Sequence, residues 1–175
     1  KLSYTWNAEK PRTCTWVKFR VKRTGHEFYH YNAHLHNGST TAIQETRTKS
    51  LTLILSRIAK ENVNNIPVIV TGDHNTTESV LDKQYAPAGF RSARVTAPET
   101  DPDRTINSFT ETSKSVIDHI YTTVGCVPGR FWVDRNPYAG VTYVSDHYPV
   151  FCDMTIKMRE FSATMDGFQF DNCEF

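Results

Sequence analysis

The chain has 175 residues with 38% apolar and 12% aromatic content, which sets one domain with a sizeable core as the default and excludes a disordered composition. Its formal net charge of +1 excludes a whole-chain cationic footprint for non-specific nucleic-acid binding. A small phosphorylated substrate requires no such footprint.

Arg12 to Lys22 is rich in β-branched and aromatic residues in rough alternation and predicts a strand. A turn at residues 23–26 leads into a second strand, Glu27 to Leu35, and the two read as a hairpin. From Thr41 to Asn62 the pattern becomes helical, with Ile43, Leu51, Ile54, Leu55 and Ile58 on one apolar face. Ile66 to Thr71 is a continuous apolar run that suits a strand buried on both faces. Strand, helix and buried strand together predict a layered α/β (α+β) domain, with helices packed on one mixed, largely antiparallel sheet. Thr76-Thr77-Glu78 predicts the start of a short helix running to about Gln84. Residues 86–103 read as loop with one edge strand. Val116 to Thr123, Arg130 to Val133, and Tyr148 to Met158 read as further strands, the last with Pro149 near its start. The aromatic-rich stretch 161–175 has no clear assignment.

No apolar run reaches the roughly 18 residues of a membrane helix. The opening Lys1-Leu2-Ser3-Tyr4 lacks the features of a signal peptide, and the compartment is left open. Cys14, Cys126, Cys152 and Cys173 show no CxxC pairing, which argues against a zinc knuckle; disulfides and buried thiols both fit them.

Chemistry concentrates in four short segments beside predicted strands: Asn32-Ala33-His34-Leu35-His36, Gly72-Asp73-His74-Asn75, Ile117-Asp118-His119-Ile120-Tyr121 and Ser145-Asp146-His147-Tyr148-Pro149. Neighbouring strands would bring these groups to one rim of the sheet. Phosphate-ester hydrolysis needs such a set: oxygen ligands for a hard cation, a base for water held in one tautomer by a carboxylate, and donors for the phosphoryl oxygens. Several of these residues also have a bland alternative. Asp73 fits a helix cap, Asn75 a left-handed turn, Asp118 a turn or edge residue, and His34 a satisfied core histidine. For His36 and His119 the structural alternative is favoured. Arg47 and Lys49 could reach a phosphate from the first helix turns, although a solvated helical face is the commoner outcome.

Taken in order, the four segments resemble motifs of the endonuclease/exonuclease/phosphatase family, which has the DNase I-like fold. GDHN resembles its GD-x-N, SDHYP its SDH-x-P, VIDHIY its ID-x-I/F strand and NAHLH its N-T-H-L-D segment. The resemblance covers about Pro11 to Asp153. It implies hydrolysis of phosphate mono- or diesters with Mg2+ or Mn2+. It implies His147 as general base oriented by Asp118, Asp73 and Asn75 at the scissile phosphate or a metal, and Asp146 at or next to the metal. It implies His34 as donor toward the phosphate or leaving group, with Arg47 as a further substrate contact. The substrate class it implies is a phosphorylated nucleic acid, nucleotide, sugar or lipid.

The departures from the family are specific. His74 stands where the family usually has Phe, and His36 where relatives usually have Asp. The family's N-terminal half carries a Q-E segment whose Glu is the main magnesium ligand. Gln44-Glu45 has those letters but lies on the later helix. The expectation is therefore the C-terminal portion of such a domain, whose partner is the missing N-terminal half. Two other readings compete with it. One is a degenerate or catalytically incompetent binding module of the same fold. The other is a zinc hydrolase using His34, His36 and His74, since a His-x-His strand puts both rings on one face.

Overall fold

The computed structural model describes residues 11–101, 103–110 and 112–157. The stretch 161–175, the opening residues 1–10, Cys173 and the last residue of the expected closing strand lie outside them. β1 (Cys14–Arg20) and β2 (Glu27–Ala33) form the expected hairpin, with Cys14 opposite Ala33 and Arg20 opposite Glu27. α1 (Thr41–Glu61) begins at Thr40, whose hydroxyl accepts the Ile43 N–H at 3.3 Å and satisfies one orphan donor of the first turn. It ends at Asn62, whose side chain exchanges two hydrogen bonds with the Ile66 backbone. The helix returns the chain so that β3 (Val68–Asp73) lies parallel to β2, the pairing that requires a long crossover.

Leu51, Ile54 and Ile58 of α1 are buried against Tyr31, Ala33, Leu35, Val68 and Val70. Leu55 and Ile43 of the predicted face are half-buried. α2 (Glu78–Tyr85) adds Leu81 and Tyr85 to this core, and the Tyr85 ring stacks on Tyr121 at 3.9 Å. The segment expected to be loop with an edge strand contains β4 (Arg91–Ser92), the four-residue helix α3 (Ala93–Thr96) and β5 (Glu99–Thr100). One turn of helix is too short for a helical period to show in sequence.

β6 (Asp118–Thr122) and β8 (Val150–Ile156) fall where expected. β7 (Cys126–Val133) starts earlier than Arg130, with Pro128-Gly129 accommodated by a register shift between Pro128 and Arg130. The strands form two layers. The mixed sheet has order β1-β2-β3-β6-β4, in which only β2 and β3 run parallel, and a second sheet has order β5-β7-β8. Ile120 of β6 packs on the second core cluster of Ala93, Ala97, Phe131, Val133 and Tyr148, which joins the layers. No helix among the described residues is long and apolar enough to cross a membrane.

Two features at the end of β3 fix the position of Asp73. Gly72 has φ +140, and a Cβ there would stand 1.8 Å from the Ala33 carbonyl oxygen. Only glycine lets β3 approach β2 this closely. His74 has no exposed surface. Its Nδ1–H donates to the Gly72 carbonyl at 2.8 Å, and its Nε2 accepts from the Tyr85 hydroxyl at 2.9 Å. Burial, reinforced by the nearby His119, pushes its pKa down to about 3 from 6.5.

Gly72→Ala should therefore cost about 3 kcal/mol or more in urea unfolding, or leave the chain insoluble. A stability loss within about 0.5 kcal/mol would contradict the close approach of the two strands. The unfolded chain takes up a proton at His74 near pH 6.5 that the folded chain refuses until about 3. The contribution of neutral His74 to stability is thus complete above pH 6.5 and is lost as pH falls from 6.5 toward 3, by up to about 1.4 kcal/mol per pH unit. His74→Phe should reduce the slope of unfolding free energy against pH by about one proton in that window. An unchanged slope would contradict a buried neutral ring.

Candidate active site

β3 and β6 run antiparallel, so the end of one meets the start of the other, and Asp73 lies directly opposite Asp118. β2 runs parallel to β3 and finishes at the same rim, one residue before His34. Leu35 N–H donates to the Asp73 carbonyl at 2.8 Å and extends that pairing past the strand ends. His147 reaches the rim from the loop before β8. Its backbone bridges Ile106, and the next amide, Tyr148 N–H, donates to Thr105 O at 2.8 Å.

Four of the predicted catalytic side chains form one chain of contacts. His147 Nδ1–H donates to Asp118 Oδ2 at 2.7 Å. His147 Nε2 stands 3.9 Å from Asp73 Oδ2, and His34 Nε2 stands 3.2 Å from the same oxygen. Asn75, the fifth, sits in the left-handed region with φ 52, as its alternative reading proposed. Its backbone N–H donates to Asp73 Oδ1 at 2.8 Å, while its Nδ2 donates to Leu35 O at 3.0 Å and Asp73 Oδ2 at 3.2 Å. The turn is what aims the amide at Leu35 O and Asp73. Asp73 does not cap α2, whose N-cap is Thr77.

Two residues that carry no motif in the sequence hold this arrangement. Thr105 is fully buried, and its hydroxyl donates to Asp118 Oδ2 at 2.7 Å while accepting the N–H groups of Ile117 and Asp118 at 3.1 Å. Asn107, 1% exposed, donates from Nδ2 to Ser145 O at 3.0 Å, and its backbone N–H donates to Asp146 O at 2.8 Å. Together they fix both members of the Asp118–His147 pair. A buried Thr and Asn in a polar loop have no periodic signal.

The remaining predicted residues lie outside this chain of contacts. Asp146 is exposed, and its side chain accepts from Ser145 Oγ at 3.3 Å. Arg47 is neither a solvated residue nor aimed into this contact chain: it is 8% exposed, and its Nη1 donates to the carbonyls of His36 and Gly38 at 2.8 Å, fastening the loop between β2 and α1. His119 is buried and donates to Thr76 O at 2.9 Å, the structural role favoured for it. The three-histidine zinc site does not form. Both nitrogens of His74 are bonded within the core, while His36 turns inward, donating from Nδ1 to Asn37 O, as His34 stays at the rim. β2 ends at Ala33, so the strand alternation assumed for His34 and His36 no longer applies. Cys14, Cys126 and Cys152 are free thiols, raised by burial to about 11, 12 and 11.

The electrostatics separate the roles. The hydrogen bond to Asp118 raises the His147 pKa above its ordinary value despite burial. Partial desolvation lowers that of His34, with the Asp73 charge opposing and the side chain 56% exposed. Burial raises that of Asp73, with the Asp118 charge adding and the Asn75 backbone bond opposing. Among the described residues, Asp73, Asp118 and His147 form the one group whose ligand atoms lie within 4.8 Å of one another. Asp118 Oδ2 and His147 Nδ1 are already bound to each other, so a hard cation fits better on the Asp73 carboxylate and the Asn75 amide oxygen, as part of a larger oxygen set.

No protein-family model and no curated protein sequence matches the chain. Solved structures do. An endonuclease/exonuclease/phosphatase from Bacteroides vulgatus superposes with TM-score 0.72 and 27% identity, over 87% of this chain and 58% of that one. A mannosyl-6-phosphatase from Bacteroides thetaiotaomicron gives 0.70 and 25%, over 86% and 60%. TDP2 of D. rerio, complexed with a single-strand DNA product, gives 0.64 and 20%, over 81% and 62%, a likeness of fold alone. The chain thus spans about three fifths of the length of the structures it matches. The resemblance read from the four motifs holds in three dimensions: the chain has the fold of the endonuclease/exonuclease/phosphatase family.

Proposed function

We propose that the chain carries the water-activating side of a metal-dependent phosphoester hydrolase. The observation that carries the reading is the His147–Asp118 hydrogen bond of 2.7 Å, with the second ring nitrogen directed toward Asp73. Asp118 accepts from Nδ1–H and thereby leaves Nε2 as the base, and it stabilises the imidazolium formed when Nε2 takes a proton from water. The water then attacks phosphorus in line with the leaving oxygen, and no covalent intermediate forms. His34, whose Nε2 stands 3.2 Å from Asp73 Oδ2, is placed to donate toward a phosphoryl or leaving oxygen. Asn75 is held by Leu35 O and Asp73 so that its amide oxygen has one orientation.

The reading assigns Mg2+ or Mn2+ as cofactor, held in part by Asp73 and Asn75 with Asp146 adjacent, where the ion supplies positive charge to the phosphoryl oxygens. Asp73 is the oxygen donor that fits, since its carboxylate faces both imidazoles and is not neutralised by a Lys or Arg ion pair among the described residues. The share of matched length leaves room for further ligands in the remainder of the domain, and we assign that remainder as the chain's structural partner. Two solved neighbours, by name a mannosyl-6-phosphatase and a TDP2 bound to a DNA product, support a phosphorylated substrate.

Hydrolysis of p-nitrophenyl phosphate and bis-p-nitrophenyl phosphate, with magnesium, with manganese and with chelator, tests this reading. The expected result is metal-dependent turnover that His147→Ala reduces by about 100- to 10,000-fold, the range of a lost general base. Turnover unaffected by chelator and by the substitution would contradict the mechanism. Absence of turnover in this chain and also in a longer form that includes the rest of the domain would favour a catalytically incompetent binding module.

A further inference from the structure

His147 also forms part of the wall of a cavity of about 250 Å³ between the loop after β7 and the start of β8. We infer that this cavity receives the alcohol half of the substrate, and that this alcohol is a neutral polyhydroxylated ring, as in a sugar phosphate. The inference rests on the phosphoesterase reading above.

The loop that makes the cavity is built rather than irregular. Asp134 N–H donates to Pro149 O at 2.9 Å and ties the loop to the residue before β8. Asp134 Oδ1 accepts from Asn136 N and Nδ2 at 3.0 and 2.7 Å. Tyr138 and Val141 exchange two backbone hydrogen bonds, of 3.0 and 2.9 Å, around Ala139 and Gly140, both at positive φ. That is the tight two-residue turn of a hairpin, and it presents Tyr138 with 75% of its surface exposed.

The lining decides the ligand. Tyr138, Tyr143 and Phe151 offer aromatic surface, and Asp134 and Asn136 offer acceptors and donors to hydroxyl groups. Among the described residues the lining contains no Lys or Arg, and it does contain a carboxylate. A second phosphate, as in a polynucleotide or a polyphosphorylated substrate, would meet repulsion from Asp134 there with no Lys or Arg of this lining to offset it. Cationic character lies instead on the His34 side, in a groove of about 300 Å³ shared by Arg12, Asn32 and His34. The two imidazoles meet at Asp73 Oδ2, one from each recess. A monoester fits this division, with its phosphoryl group toward His34 and its neutral ring beyond His147. The volume is below the usual range for drug-sized ligands, which suits one ring and not a chain.

The test is a 1H–15N titration of the chain, with magnesium present, by glucose 6-phosphate, ethyl phosphate and a short single-stranded oligonucleotide. Glucose 6-phosphate should shift the His147 ring, the Asn136 side-chain amide and the Tyr138–Thr142 backbone, and should bind at least tenfold tighter than ethyl phosphate. Asn136→Ala and Tyr138→Ala, both at exposed positions, should each reduce that preference several-fold. Equal affinity for the two esters, a preference unchanged in both variants, or tighter binding of the oligonucleotide through the same residues would overturn the inference and leave the phosphoesterase reading intact. If no ester shifts His147 in this chain or in a longer form that includes the rest of the domain, the phosphoesterase reading falls and the inference falls with it.

Discussion

The bond from His147 to Asp118 spans the two layers of the fold. Asp118 opens a strand of the five-stranded sheet, and His147 lies just before a strand of the three-stranded one. Its 2.7 Å length requires both layers in register, and three further contacts maintain that register. The Thr105 hydroxyl binds the same carboxylate oxygen, Tyr148 N–H binds the Thr105 carbonyl, and Ile120 packs into the core between the sheets. Asp73 is brought into line by a different constraint, its position opposite Asp118 across β3 and β6. That pairing depends on β3 lying close against β2, which Gly72 permits.

Within this frame, similar side chains acquire different chemistry. His147 has a carboxylate partner that favours its charged form, whereas partial desolvation shifts His34 the other way. His74, the residue directly after β3, is locked neutral inside the core between Gly72 and Tyr85. One ring bonds a carboxylate, one stands beside Asp73 at the rim, and one packs inside the core. The two carboxylates divide in the same way: Asp118 is engaged with donors, while Asp73 sits between two imidazoles with its pKa raised.

Much of this was legible in the sequence for identifiable reasons. The hairpin and α1 are long and strongly periodic, and the apolar run before Gly72 marks a strand covered on both faces. Asp73, Asn75, Asp118, His147 and His34 each sit beside a strand end in a short motif, so their convergence followed once the strands were placed. Thr105 and Asn107 were not legible, because their importance arises from contacts with Asp118 and Ser145 that only the folded chain creates. Arg47 and the His-x-His pairing of His36 differ from expectation for a related reason. The loop after β2 leaves strand geometry at Ala33, so a helix arginine turns back to hold its carbonyls and a histidine turns inward. The second sheet was blurred by Pro128-Gly129, where the register of its strands shifts.

The central claim is that His147 acts as a base and water attacks phosphorus in one displacement. The most direct test is the stereochemical course of hydrolysis of a phosphate monoester made chiral with oxygen isotopes and sulfur, read by 31P NMR. A single in-line displacement predicts inversion at phosphorus. Retention would show two displacements through a phosphorylated side chain, with His147 the first candidate nucleophile, and would contradict the account.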